Sequence, residues 1–303
     1  MANESTAILS RLDGLIPRRM PSRRWLGFAA YTVALFIIFL LLTFPHDLIA
    51  RGTAERFAEQ SGIQLRFDEA WLAPWDGYRF SNVRIVGEGD AEPWLGVPKL
   101  SLRPSLRALF GGDLSGATFH GEAYGGEFWG WMQRGERTTA KIEWDGIELA
   151  RYPWLDGLVE GEWRGILSGD IDLTLGEGVR DAEGRGKIAL RDGSLTAGNA
   201  RGFTVPDLTA MRGDAELEIK GGRLEISSMK LTGAEIDADL RGQVYLRAPV
   251  ADSVVNATLT VKPVPGAPSG IEGLLMLGNR GQRAPSGTYS LRLYGMLTRL
   301  KVS

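Results

Sequence analysis

The chain has no cysteine among its 303 residues, which excludes structural disulfides, thiolate nucleophiles and cysteine-based zinc or iron–sulfur sites. Histidine is nearly absent: His46 and His120 stand far apart and leave little material for imidazole catalysis or metal ligation. No Gly-rich phosphate loop, G-x-S-x-G or HExxH occurs, and the scattered Asp and Glu define no catalytic pair. A surplus of one charge is lacking too. With a formal net charge of −2 and Lys and Arg dispersed apart from one early cluster, nothing points to nucleic acid. These absences point to a non-enzymatic protein with no catalytic residue, cofactor or metal.

What is present begins with an uncharged run. WLGFAAYTVALFIIFLLLTF covers residues 25–44, and at roughly 1.5 Å per residue its twenty residues reach about 30 Å, one hydrocarbon core. The run is longer than a signal-peptide apolar region, and LIARGTA after it is a poor cleavage site, so an uncleaved signal anchor is expected. Arg18, Arg19, Arg23 and Arg24 precede it, and the positive-inside rule places the 1–24 tail in the cytoplasm and 45–303 across the membrane. Five arginines against Glu4 and Asp13 give the tail net +3, leaving −5 for the rest.

After the span, Leu48 to Gln60 reads as a short amphipathic helix with Leu48, Ile49, Phe57 and Ala58 as its apolar positions and Gly62 as its stop. Beyond Gly62 the pattern alternates. Ile63, Leu65 and Phe67 open it, Leu100 and Leu102 continue it, and Leu217 and Ile219 alternate up to Gly221-Gly222 before Leu224 and Ile226 alternate away. That is a hairpin pattern, and Asp192-Gly193 reads as a similar turn. Ile236 to Val244, Val255 to Val261, and Tyr289, Leu291 and Leu293 add further strands, with Ser105 to Phe110 the one helix suggested among them. The 40 glycines imply many turns. Strands about every 8–12 residues predict an antiparallel meander, all-β after the anchor. A closed sandwich and a curved open groove both satisfy one-sided alternation. Ala267 to Gly287, rich in Gly, Pro and Ser, is expected to be a loop.

Eight of the nine tryptophans lie between Trp71 and Trp163. Trp129 and Trp131 share a strand face if FWGWM is extended, and are expected to line the apolar groove with Leu217, Ile219, Leu224, Ile226, Ile236 and Val244. Asp170, Asp172, Thr174 and Asp181 loosely match a calcium loop, but Leu175 stands where the turn needs Gly; alternation with Ile171 and Leu173 reads as a strand. Asn256-Ala-Thr258 matches a short glycosylation sequon of high chance frequency.

The order basic tail, single span, AERFAEQSGIQLRF, RFSNVRI and WLGVPKLSLRPSLRALFGGDLSG resembles the start of AsmA-like proteins. GEWRGILSGDIDLTL, GRGKIALRDGSL, GGRLEISSMKLTGAEIDADLRGQVYL and GTYSLRLYGML resemble the protein N family of type II secretion systems (GspN). The resemblance runs from about Trp25 to Leu297 and departs at the final LTRLKVS, which lacks the family's terminal proline. It implies an accessory inner-membrane component of a Gram-negative secretion machine, mostly periplasmic, without enzymatic activity and with other secretion proteins as partners. The AsmA-like relation implies in addition an elongated β-groove that contacts inner-membrane lipids and holds phospholipid, which is the alternative reading. Under either, Tyr289, Leu291 and Leu293 are expected to form an exposed docking edge.

Overall fold

The computed structural model describes residues 63–73, 77–87, 93, 95–105, 116–152, 155, 159–176, 181–200, 203–247, 253–278, 284, 287–296 and 301–302. It also describes helical positions 28, 31, 32, 35, 36, 39, 47, 48, 50–52, 54 and 55. Residues 1–45 form one unit and 46–303 another. Arg18, Arg19, Arg23 and Arg24, most of the 25–44 run and the suggested helix at 105–110 lie outside the described residues, Ser105 apart. Among the described residues no helix is long and apolar enough to cross a membrane.

The second unit is one curved, open, antiparallel sheet. Its strands are β1 (Ile63–Arg66), β2 (Glu69–Ala73), β3 (Gly77–Gly87), β4 (Leu95–Pro104), β5 (Gly116–Ala123), β6 (Gly126–Arg134), β7 (Thr138–Glu148) and β8 (Glu160–Leu175). They continue as β9 (Glu183–Ala200), β10 (Phe203–Val205), β11 (Leu208–Lys220), β12 (Arg223–Thr232), β13 (Ile236–Tyr245), β14 (Val254–Pro263), β15 (Tyr289–Met296) and β16 (Lys301–Val302). Fourteen of them follow one hydrogen-bonded path in near-sequential order, with β2 flanking β3 and β10 flanking β9. At roughly 4.8 Å per strand, that path extends on the order of 60 Å. All sixteen strands belong to the same sheet, so the sandwich alternative falls away: the described strands form no second sheet to cover the first.

Local chemistry explains the connections. Gly221 (φ 58°) and Gly222 (φ 71°) both take left-handed backbone, as a two-residue hairpin turn between twisted strands requires, and set the register Lys220 opposite Arg223. Asp192-Gly193 corrects the sequence reading. Only Asp192 is left-handed (φ 52°), β9 runs through it from Glu183 to Ala200, and pairing shifts beside it between Arg164 and Ile166 of β8. A left-handed residue inside a continuous strand, with the register shifting beside it, makes a bulge; the type I′ hairpin turn at Gly221-Gly222 uses two. Such register shifts recur in five successive strand pairs, from β7–β8 to β12–β13, and bulges bend and twist the sheet.

The segment 267–287 contains α1 (Ser269–Gly278), a helix where the sequence suggested only loop. Ile271 is 5% exposed, and the helix lies against β10 and β15, so one apolar anchor outweighs the helix-weakening Gly270 and Gly273. At the other end, Ala50 and Ala54 pack on a cluster of Phe67, Ala70, Val83, Val97 and Ala123. Of the apolar positions expected in that short helix, Leu48 alone is described, and it is 69% exposed. The small alanines make the contact instead.

Candidate functional site

Directly opposed residues of an antiparallel sheet point to the same side, so the register sorts side chains into two faces. One row runs Leu72, Tyr78, Leu102, Phe119, Gly130, Ile142, Ile171 and Gly186, one residue per strand. It continues through Leu217, Ile226, Gly242, Ala257 and Leu293. Across thirteen strands it contains no charge. The neighbouring row on the other side runs Trp71, Arg79, Ser101, His120, Trp129, Glu143, Asp170, Lys187, Glu216 and Ser228. One face is apolar along its whole path and the other is charged.

The apolar face interleaves large side chains with glycines. Phe128 lies over Gly121 and Phe119 over Gly130, so neither glycine could carry a Cβ without displacing a ring. The rings of Phe119 and Phe128 are 6.3 Å apart and tilted by 45°. Farther along, Val244, Val255 and Ala257 are buried among Leu224, Leu240, Leu246 and Leu293. Elsewhere the face stays half open; Met132 and Met229 are 46% and 42% exposed on it.

On the charged face, ion pairs cross between strands: Lys99 to Glu122 at 2.9 Å, Arg191 to Asp145 at 3.3 Å and Lys187 to Glu216 at 3.8 Å. All are exposed, so each contributes little to stability and marks a face turned to water. Asp170 and Asp172, the core of the suggested calcium loop, sit on strand β8 opposite Lys187 and Arg185. Among the described residues no cluster of three or more possible metal ligands forms. Asn256 is on this face, its side-chain oxygen accepting from Arg292 at 3.4 Å.

Leu217, Ile219, Leu224, Ile226, Ile236 and Val244 all fall on the apolar face, as the alternation predicts. Trp129 and Trp131 do not. They stand opposite His120 and Thr118 on one side and Glu143 and Lys141 on the other, on the charged face. The indole N–H of Trp129 donates to Glu143 at 2.9 Å. Lys141, 2.6 Å from Glu143, and then Trp129 hold that carboxyl below its ordinary range, and Glu143 in return raises Lys141. Phe119, Phe128 and Trp144, which the sequence reading left unassigned, join Tyr78 and Tyr289 as aromatic residues of the apolar face. The repeated F-x-G of Phe119-His-Gly121 and Phe128-Trp-Gly130 is the signal that could have found two of them.

The expected docking edge is also placed differently. Tyr289 and Leu291 are 0% and 9% exposed, and Leu293 and Tyr294 pair with Val302 and Lys301 of β16. The terminal strand of the sheet is β16, and the side chains of Tyr289, Leu291 and Leu293 belong to the apolar face. No protein-family model, characterised protein or solved structure matches the chain.

Proposed function

We propose that this chain is a non-enzymatic, membrane-anchored protein whose sheet holds phospholipid acyl chains along its apolar face, as an AsmA-like groove would. The observation that carries this reading is the thirteen-strand uncharged row from Leu72 to Leu293 in a sheet over which the described strands form no second sheet. Apolar surface left in water costs about 25 cal/mol per Å2, so a face this long calls for an occupant, and acyl chains need neither charge nor hydrogen bonds from it. Phe28, Tyr31, Leu35, Phe36 and Phe39 are helical and exposed by 46% or more, which suits a lipid-facing anchor with the arginines on its cytoplasmic side and the sheet in the periplasm of a Gram-negative cell.

A second reading places the same protein in a type II secretion apparatus as an accessory inner-membrane component, supported by the resemblance of segments such as GRGKIALRDGSL and GTYSLRLYGML to protein N. The two are compatible, and one experiment separates them. A photo-crosslinking residue is placed in turn at Leu217, Ile226, Ile236 and Val244, with Glu216 and Glu218 as controls, and adducts are identified by mass spectrometry. Phospholipid adducts at the four apolar positions alone support lipid holding. Adducts confined to protein overturn it and leave the secretion reading, which an unchanged export of every type II substrate on deletion would itself overturn.

A further inference from the structure

The charged face carries two large aromatic side chains that add nothing to the apolar face. Trp129 and Trp131 are two residues apart on β6, so their indoles project to one side roughly 7 Å from each other. They remain 38% and 41% exposed. Both border a depression of about 460 Å3, with the hydroxyls of Ser101 and Thr118, the imidazole of His120 and the basic Arg79 and Arg103 around it. Exposed indoles set among short hydroxyls and planar polar groups are matched to a ligand that is apolar on its faces and polar around its rim.

We propose that this depression binds an oligosaccharide, neutral or acidic, whose pyranose rings stack on the two indoles. The C–H face of a pyranose is apolar and slightly positive, and it meets the negative face of an indole. Its hydroxyls donate and accept, as Ser101, Thr118 and His120 also do. Trp129 is fixed before any ligand arrives, because its N–H is held by Glu143, which is held in turn by Lys141, and an ordered ring loses less entropy on binding. Arg79 and Arg103 at the rim, with Lys141 balanced by Glu143, leave the depression a positive surplus that disfavours a quaternary ammonium group, the other usual partner of paired indoles. A single nucleic-acid strand would need a basic track beyond the rings, yet the row past Trp129 reads Glu143, Asp170, Lys187 and Glu216. The site lies on the face opposite the acyl-chain surface and does not depend on that reading.

The test uses the full chain in detergent micelles, titrated with chitotetraose and with tetragalacturonate by calorimetry and tryptophan fluorescence. At least one gives saturable binding. Trp131→Ala weakens it by about two- to tenfold, the size expected for one lost ring stack. Trp131→Phe keeps most of the affinity, and Tyr245→Ala, on the same face but on β13 and away from the depression, changes nothing. A second measurement needs no variant: bound oligosaccharide slows oxidation of Trp129 and Trp131 by N-bromosuccinimide, read by peptide mass spectrometry. No saturable response to either sugar, no protection of the pair, or competition by choline or oligothymidylate overturns the proposal.

Discussion

Trp144 on β7 and Gly169 on β8 face each other directly, and the indole occupies the space that a side chain at 169 would need. The pairing makes a large residue and an absent one complementary across the apolar face. Gly169→Val is therefore expected to destabilise the sheet by about 1–3 kcal/mol, the usual effect of overpacking. Urea unfolding followed by tryptophan fluorescence measures it. The same substitution at Gly221 meets open space but a left-handed backbone, so its effect comes from strain in the turn.

Asp68 ties together three elements near the first edge of the sheet. Its carboxylate accepts from Asn82 at 2.8 Å and pairs with Arg84 at 2.7 Å, while its backbone carbonyl accepts from Arg51 at 3.0 Å. The Asn82 hydrogen bond, then the charges of Arg84 and Arg51, hold its carboxyl below the ordinary value of 3.8. Because the folded value is depressed, this contribution is complete above the unfolded pKa and disappears as pH falls through the folded one. An NMR titration of the Asp68 carboxyl carbon is expected to give a midpoint below 3.8, and Arg84→Ala to move it upward.

Glu235 closes the β12–β13 connection onto β11. Its two carboxylate oxygens accept from the backbone N–H and the hydroxyl of Thr209, each at 2.6 Å and partly buried. Glu235→Ala leaves that N–H without its charged partner, and a loss of about 1–3 kcal/mol is expected. Hydrogen exchange at Thr209 should accelerate in the variant while exchange in β5 and β6 stays unchanged.

Ile271 is the buried anchor of α1. Ile271→Ala is expected to cost about 2–5 kcal/mol in local stability. The readout is proteolysis between 264 and 288, which should become faster without any change in the circular dichroism of the strands. Equal protease resistance in variant and parent would mean that the helix is held by something other than this side chain.

Much of the sheet is legible in the alternation, and the particular failures have physical causes. Leu217 and Ile226 fall on one face because alternation fixes parity within a strand and Gly221-Gly222 fixes the register between two. FWGWM defeats the same logic. Phe128, Gly130 and Met132 form one face and Trp129 and Trp131 the other, both sets are apolar, and only pairing with Glu143 and His120 shows which is wet. The α1 helix was hidden by Gly270, Gly273 and Gly278, whose low helix propensity is offset by a tertiary contact invisible in the local sequence. The Asp192 bulge has the residues of a turn and the backbone of half of one.

Because nearly every strand is bonded to its sequence neighbours, the sheet is close to a one-dimensional array. Its stability is then close to a sum of nearest-neighbour terms, as in repeat proteins. Hairpins can be gained or lost over evolutionary time by duplication or deletion without disturbing distant packing, and each adds roughly 10 Å to the reach of the array. Such a molecule frays from its ends, and a break in the middle leaves two shorter arrays rather than one unfolded chain. Reach becomes a heritable length, set by how many hairpins the gene encodes.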